Sequence, residues 1–353
     1  MPTMRTQEQA ERLERALAVA RSGRTAEMRR DLLGALELYR EARHLLSDLE
    51  PTPLLANLLR WEGSVLRDQG RIEDADELYR ESLEVAVASG SLSAQAAAIN
   101  CRGVMAQRRG DVDRADELYR EASQLATEAG ELRLTGMVQQ NLGVLANIRG
   151  DLEAAKTHYR AALRAFGEMG DDEASSWVLN NIGMLLNDLG SPSRAERSFR
   201  RGLTIARTRR DRPLEGILLG NYAEGLIAMK RWDDAAEALD EAFNIACEGD
   251  DLARAGEALK FHGVLERERG RFDEARQRFQ EALNVATSMD DRLLIGEVLR
   301  ERGELHQRMC DATSAAADLA EALKVLEAAG ATRDADDVRL RLADLTKETG
   351  SSD

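Results

Sequence analysis

The chain has 353 residues, 64 of them acidic and 49 basic, for a formal net charge of −15. That balance argues against a nucleic-acid partner, whose phosphates require a basic footprint, and favours basic or neutral partners. Charged residues make up 32% and aromatics 4%, with only five prolines, which is the profile of long packed helices.

A ruler of 40 residues runs through the sequence without insertion or deletion. Ala35, Ala75, Ala115, Ala155, Ala195, Ala235, Ala275 and Ala315 mark one phase. Gly23, Gly63, Gly103, Gly143, Gly183, Gly263 and Gly303 mark another, with Ala223 and Ala343 in the same slot. Tyr39, Tyr79, Tyr119, Tyr159, Phe199, Leu239, Phe279 and Leu319 follow each alanine by four. Such a period means that identical supersecondary units stack, each touching only its neighbours.

In chain order, first helices are predicted near 12–28, 52–68, 92–108, 132–148, 172–188, 212–228, 252–268, 292–308 and 332–348. Second helices are predicted near 31–48, 71–88, 111–128, 151–168, 191–208, 231–248, 271–288 and 311–328. Residues 1–49 form an atypical first repeat, in which Ser22-Gly23-Arg24 is expected to interrupt the first helix. Seven regular repeats fill 50–329, a charge-rich capping helix takes 330–349, and 350–353 is a tail, all within one array over 1–353.

The stretch 175–207 shows how a unit is built. Leu179, Ile182, Gly183 and Leu186 share one face of the first helix. Gly190 interrupts, Ser191 is placed to cap, and Pro192 sits in the first turn, where its missing N–H costs nothing. Ala195, Phe199, Gly202 and Leu203 form the apolar face of the second helix. A mid-helix glycine costs ~1 kcal/mol against alanine, so its recurrence implies that a side chain there would hold the helices apart.

Gly103–Ala115–Tyr119–Ala122, Gly143–Ala155–Tyr159–Ala162 and Gly263–Ala275–Phe279–Ala282 repeat one pattern, and in this the chain resembles the tetratricopeptide repeat family over essentially its whole length. Its longer unit is similar to the arrays of kinesin light chains and bacterial signalling regulators. Gly202 and Ser82 depart from the later alanine, and Leu239 and Leu319 from the aromatic. The resemblance implies an all-α fold, a right-handed superhelical solenoid of eight helix-turn-helix repeats plus a C-terminal capping helix, with first helices lining a concave groove.

If the apolar stripe of each first helix meets its partner, a second stripe faces that groove. It reads Trp177, Asn180, Asn181, Met184 and Asn187 in the fifth first helix, and Met137, Gln140, Asn141, Val144 and Asn147 one repeat earlier. Asn100 precedes them in register and Asn221 follows, beside Ile217 and Glu224. A carboxamide offers a donor and an acceptor, matching an extended peptide backbone, and the resemblance implies such a use. The competing reading is that the amides hydrate a helix face or bond between repeats. Further along, the stripe turns charged at Glu257, Lys260, Arg267, Glu297 and Arg300, and Arg60 and Arg67 lie at the other end. A run of arginines from Arg194 to Arg212 stands out against the acidic whole, either as a dock for an acidic partner or as local charge balance.

Catalytic signatures are missing: no phosphate loop, GxGxxG turn or GxSxG elbow occurs. The four histidines lack paired ligand spacing, so neither a metal nor another cofactor is expected, nor an enzyme. Cys101, Cys247 and Cys310 form no CxxC pair and are expected as free thiols, the last two on helices as packing groups. The N-terminal stretch is charged throughout, with the short apolar run Ala16–Ala20, and is not expected to act as a secretion signal; no segment approaches the ~18 apolar residues of a membrane span. A cytoplasmic, monomeric or weakly self-associating scaffold that grips a partner's peptide segment is the expected function. The alternatives are a peptide-responsive regulator and a self-associating assembly factor.

Overall fold

The computed structural model describes residues 4–29 and 31–350; residues 351–353, most of the expected tail, lie outside. The described chain folds into helices alone, and the division of contacts gives two units, Met1–Asp171 and Asp172–Asp353. The first holds α1 (Met4–Met28), α2 (Leu32–His44), α3 (Pro53–Asp68), α4 (Ile72–Ala88), α5 (Leu92–Arg108), α6 (Val112–Glu128), α7 (Leu132–Ile148) and α8 (Leu152–Met169). The second holds α9 (Asp172–Asp188), α10 (Pro192–Arg209), α11 (Arg212–Ala228), α12 (Trp232–Glu248), α13 (Leu252–Glu268), α14 (Phe272–Ser288), α15 (Arg292–Arg308), α16 (Ala312–Ala328) and the capping α17 (Thr332–Gly350). Eight hairpins and a cap are what the ruler predicts.

Punctuation is as regular as the helices. Asp111, Asp151, Asp211, Asp251, Asp291 and Asp311 each accept a hydrogen bond from the backbone N–H three residues on, occupying one orphan donor of the first turn. Helix exits are left-handed every 20 residues, at glycine in nine cases and at Arg210, Lys230, Asp250, Asp290 and Cys310 in five. Cys310 therefore lies in an exposed turn, and Cys247 is exposed as well, so neither is the buried packing group expected from sequence. Ser191 precedes α10 without a side-chain capping bond, and Pro192 alone marks that start.

The glycine slot is a seat for the aromatic of the same hairpin. A Cβ added at Gly143 would lie 2.6 Å from Tyr159 Cδ1, and one at Gly183 would lie 2.5 Å from Phe199 Cζ. Tyr39, Tyr79, Tyr119, Tyr159, Phe199 and Phe279 are all essentially inaccessible, as ring-against-backbone packing requires. Where the aromatic becomes Leu239 the glycine becomes Ala223, and both are fully buried; the smaller branched side chain leaves room for one methyl. Gly23 obeys the same rule, its added Cβ 2.6 Å from Tyr39 Cε1. Hence α1 runs unbroken through Ser22-Gly23-Arg24, contrary to the expected interruption. Ser82, on α4, donates to Ala56 O at 2.7 Å, and Ser176, on α9, donates to Gly202 O at 3.0 Å. The two departures from the later alanine thus share one inter-helix bond with the serine on opposite helices.

Within each unit, successive hairpins stack second helix to next first helix, and neighbouring first helices also touch, as α3 with α5 and α11 with α13. Contact of that extent is absent between successive second helices among the described residues. The first helices of each unit thus lie side by side, while its second helices are held apart.

Candidate functional site

In the second unit, α9, α11, α13 and α15 converge on one cleft of about 650 Å³. Trp177, Asn180, Met184, Asn221, Lys260 and Arg300, six of the twelve residues expected to line a groove, line it. Ile217, Glu224, Glu257, Arg267 and Glu297, read from the same stripe, join them. Asp188, Ile227, Arg254, Phe261, Val264 and Glu301 complete the wall. Phe261 and Val264 stand one 40-residue step after Asn221 and Glu224, so the ruler marks these slots even though the residue types change.

The walls differ in chemistry. Trp177, Phe261 and Val264 pack on the buried core of this unit and give the cleft an apolar floor; Met184 is exposed in its mouth. Gly220 occupies the slot of Asn180 and Lys260, and a Cβ there would meet nothing within 4 Å. Asn221 Nδ2 donates to Asn180 Oδ1 at 2.9 Å, and both amides reach Met184 Sδ, at 3.6 Å and 3.5 Å. Asn180 is buried, so its oxygen is spent between repeats, whereas Asn221 is half-buried and keeps its own oxygen on the cleft.

On the α13–α15 side the charges are paired. Lys260 Nζ lies 2.5 Å from Glu297, Arg254 lies 2.6 Å from Glu257, and Arg267, 5% exposed, reaches Glu301 at 3.0 Å. Arg300 adds a second contact to Glu301 at 3.0 Å. Burial alone would raise the Glu301 carboxyl, but Arg267 and Arg300 overcome it and hold it below the ordinary glutamate range. On the α9–α11 side, Asp188 and Glu224 line the cleft with no cation at ion-pair distance among the described residues. Surrounding protein and then the Asp188 charge push the Glu224 carboxyl up, against the opposing pull of Lys260 and of the Asn187 amide. The cleft thus has a neutralised wall and an uncompensated acidic pole.

The remaining expected residues are placed elsewhere. In the first unit Asn141 Nδ2 donates to buried Asn100 Oδ1 at 2.9 Å, repeating the Asn221–Asn180 bond, while Gln140 and Asn147 are half-buried on α7. Asn181 is half-buried on α9 and is not part of the cleft wall. The Asn187 amide is turned against α11: its polar atoms are buried, it lies close enough to the Glu224 carboxylate to lower its pKa, and a Cβ on Gly225 would lie 2.8 Å from the amide oxygen. Recurrent amides bonding between repeats was the competing reading, and it holds for Asn100 and Asn180. Sequence could not separate the two because amides one repeat apart share a face whether or not they touch.

Stacked helical hairpins, with a cleft of mixed polarity lined by the first helices of the second unit, define a helical-repeat protein. Tetratricopeptide repeat models match residues 63–88, 94–168, 141–208, 214–288 and 256–328, and the chain belongs to the tetratricopeptide repeat family. No curated protein matches it. Among solved structures it is similar to a Rap protein complexed with Competence and Sporulation Factor, at 12% identity and TM-score 0.65 over 98% of this chain and 100% of that one. It is also similar to the Rap conjugation gene regulator of plasmid pLS20 in complex with the Phr* peptide, at 14% identity and TM-score 0.61 over 91% and 97%. A third is Aspartyl phosphate phosphatase F from Bacillus subtilis, at 12% identity and TM-score 0.55 over 98% and 96%. Likeness at these identities is a likeness of fold. Among the described residues no helix is long and apolar enough to cross a membrane.

Proposed function

We propose that the protein is a recognition scaffold whose α9–α15 cleft holds an extended peptide segment of a partner, with a cationic side chain seated at Asp188 and Glu224. The convergence of four first helices on one cleft carries this reading. The free oxygen of Asn221 accepts from the peptide backbone, Trp177 and Phe261 cover apolar side chains, and the acidic pole supplies what the ligand neutralises. The pLS20 regulator of the same fold, solved with the Phr* peptide, supports peptide occupancy. It equally supports a regulatory output, our second reading, in which the peptide alters the stacking of hairpins. One similar fold is a phosphatase, but fold does not convey activity, and the pairing of Lys260, Arg254 and Arg267 with carboxylates suits binding rather than chemistry. We assign no catalytic role.

Titration calorimetry with a panel of short extended peptides, each offered with arginine and with isosteric citrulline, tests the acidic pole. The arginine forms are expected to bind at least about tenfold more tightly, a difference of ~1.4 kcal/mol. Asp188→Asn with Glu224→Gln should erase that preference. Because the Glu224 carboxyl is raised, the preference should weaken as pH falls towards the carboxylate range, beginning above the pH at which an ordinary glutamate protonates. Equal affinity for arginine and citrulline peptides at pH 7 would remove the acidic pole from the reading.

A further inference from the structure

We propose that the outer ridge of α10 is a second docking surface, independent of the cleft, and that it takes an acidic helix of a partner protein. The arginines from Arg194 to Arg212 divide into two groups in the structure. Arg200, Arg207, Arg209 and Arg212 are spent internally, with carboxylate partners at 2.9 Å (Glu196), 2.6 Å (Glu215), 2.8 Å (Glu173) and 3.0 Å (Glu215). Arg194, Arg197, Arg201 and Arg210 are exposed, and among the described residues no carboxylate lies within ion-pair distance of any of them; Arg210 stands apart in the left-handed exit turn, and the other three lie along α10.

These three stand at i, i+3 and i+7 of one helix, on the side opposite Ala195, Phe199, Gly202 and Ala206, which are buried. They therefore form a single row about 10 Å long at ~1.5 Å per residue. Their register is inverted in charge relative to the sister helices. At the position of Arg201, six of the other seven second helices carry glutamate, Glu81 and Glu241 among them. At the position of Arg197 four do, Glu77 and Glu237 among them. A solvated outer face in this chain is thus written in glutamate, and α10 alone rewrites both slots as unpaired cations.

The spacing selects the partner. Carboxylates at i, i+4 and i+7 of an antiparallel helix fall at the same ~6 Å and ~4.5 Å intervals as the arginines, whereas same-face side chains of an extended strand stand ~6.6 Å apart. Three guanidiniums fall short of the 6–10 phosphate contacts typical of non-specific duplex binding, about which a net charge of −15 is also unhelpful. They also fall short of the ~4–8 basic residues that mark lipid headgroup recognition. The ridge orients and steers its partner, since paired surface charges contribute more to specificity and encounter rate than to affinity.

Fluorescence anisotropy at about 50 mM salt, with two alanine-based helical peptides of equal composition, tests this. One carries glutamate at i, i+4 and i+7; the other spreads the same three glutamates around the helix. The row peptide is expected to bind at least tenfold more tightly than the scrambled one. Arg194→Gln, Arg197→Gln and Arg201→Gln together should reduce it to the scrambled level with an unchanged melting temperature, and about 200 mM salt should weaken it. Equal binding of the two peptides, or full retention by the triple variant, would overturn the proposal. So would tighter binding of single-stranded oligonucleotide or phosphatidylserine vesicles, or a dimer in sedimentation that the triple variant lacks. Citrulline-against-arginine discrimination in the cleft should persist in the triple variant, so failure at one surface is distinguishable from failure at the other.

Discussion

Phe199→Ala is expected to cost about 3–5 kcal/mol of stability, the range for truncating a fully buried aromatic. The ring fills the space between Gly183 and its own helix and packs on Tyr222, the ring centroids 5.8 Å apart. The reciprocal change is equally informative. Gly183→Ala in an exposed helix would gain about 1 kcal/mol, but here its methyl meets Phe199 at 2.5 Å, 2.6 Å and 2.8 Å. Overpacking of this kind costs about 1–3 kcal/mol, so the net effect should be destabilising. Pairing it with Phe199→Leu reproduces the Ala223–Leu239 seat one hairpin later. The double variant should therefore be more stable than the sum of its parts, by about 1 kcal/mol in a double-mutant cycle of urea unfolding. Strict additivity would mean that the two slots do not meet.

Arg267→Met is expected to destabilise by about 3 kcal/mol, at the low end of the ~3–5 kcal/mol for breaking a buried ion pair, because Arg300 still holds Glu301. Arg267 also bonds the Glu301 backbone oxygen at 3.0 Å and lies 3.4 Å from Glu304, so its loss exposes several acceptors to an uncompensated interior. The pH dependence has a definite sign. The folded carboxyl of Glu301 lies below its unfolded value of ~4.3. Its stabilisation is therefore fully present above about pH 4 and is lost as pH falls through the folded value. In the variant the buried carboxylate is held less well, so the gap between variant and parent should be widest at neutral pH and narrow towards acid. A gap that stays constant from pH 7 down through the folded value of Glu301, below about pH 4, would show that packing, not charge, is what Arg267 contributes.

The ruler made the fold legible because alanine, glycine and an aromatic recur at spacings that only paired helices satisfy. It misread the first hairpin: glycine reads as a break at Gly23 until Tyr39 is seen resting on it, α1 begins at Met4 rather than near residue 12, and α2 ends at His44 rather than near residue 48. The ruler placed helix ends near residues 208, 228 and 308, but the left-handed backbone of Arg210, Lys230 and Cys310 was hidden because that conformation is normally written with glycine. The cleft was half legible. Trp177, Asn180, Met184 and Asn221 follow from the stripe, since side chains one helical turn apart share a face. Phe261 escaped because an aromatic in an amide slot reads as core. The Asn221–Asn180 and Asn141–Asn100 bonds depend on the rotation of one helix against the next, and periodicity carries no information on that angle.

Gly220→Leu blocks the cleft without touching a neighbour. Nothing lies within 4 Å of an added Cβ at that position, and its slot points where Asn180 and Lys260 line the cleft. The variant should fold at least as stably as the parent, since leucine exceeds glycine in helix propensity. Calorimetry with the tightest arginine peptide should show binding weakened at least about tenfold, with the melting temperature undiminished. A well-folded Gly220→Leu protein that binds that peptide as tightly as its parent would place the peptide somewhere other than the cleft.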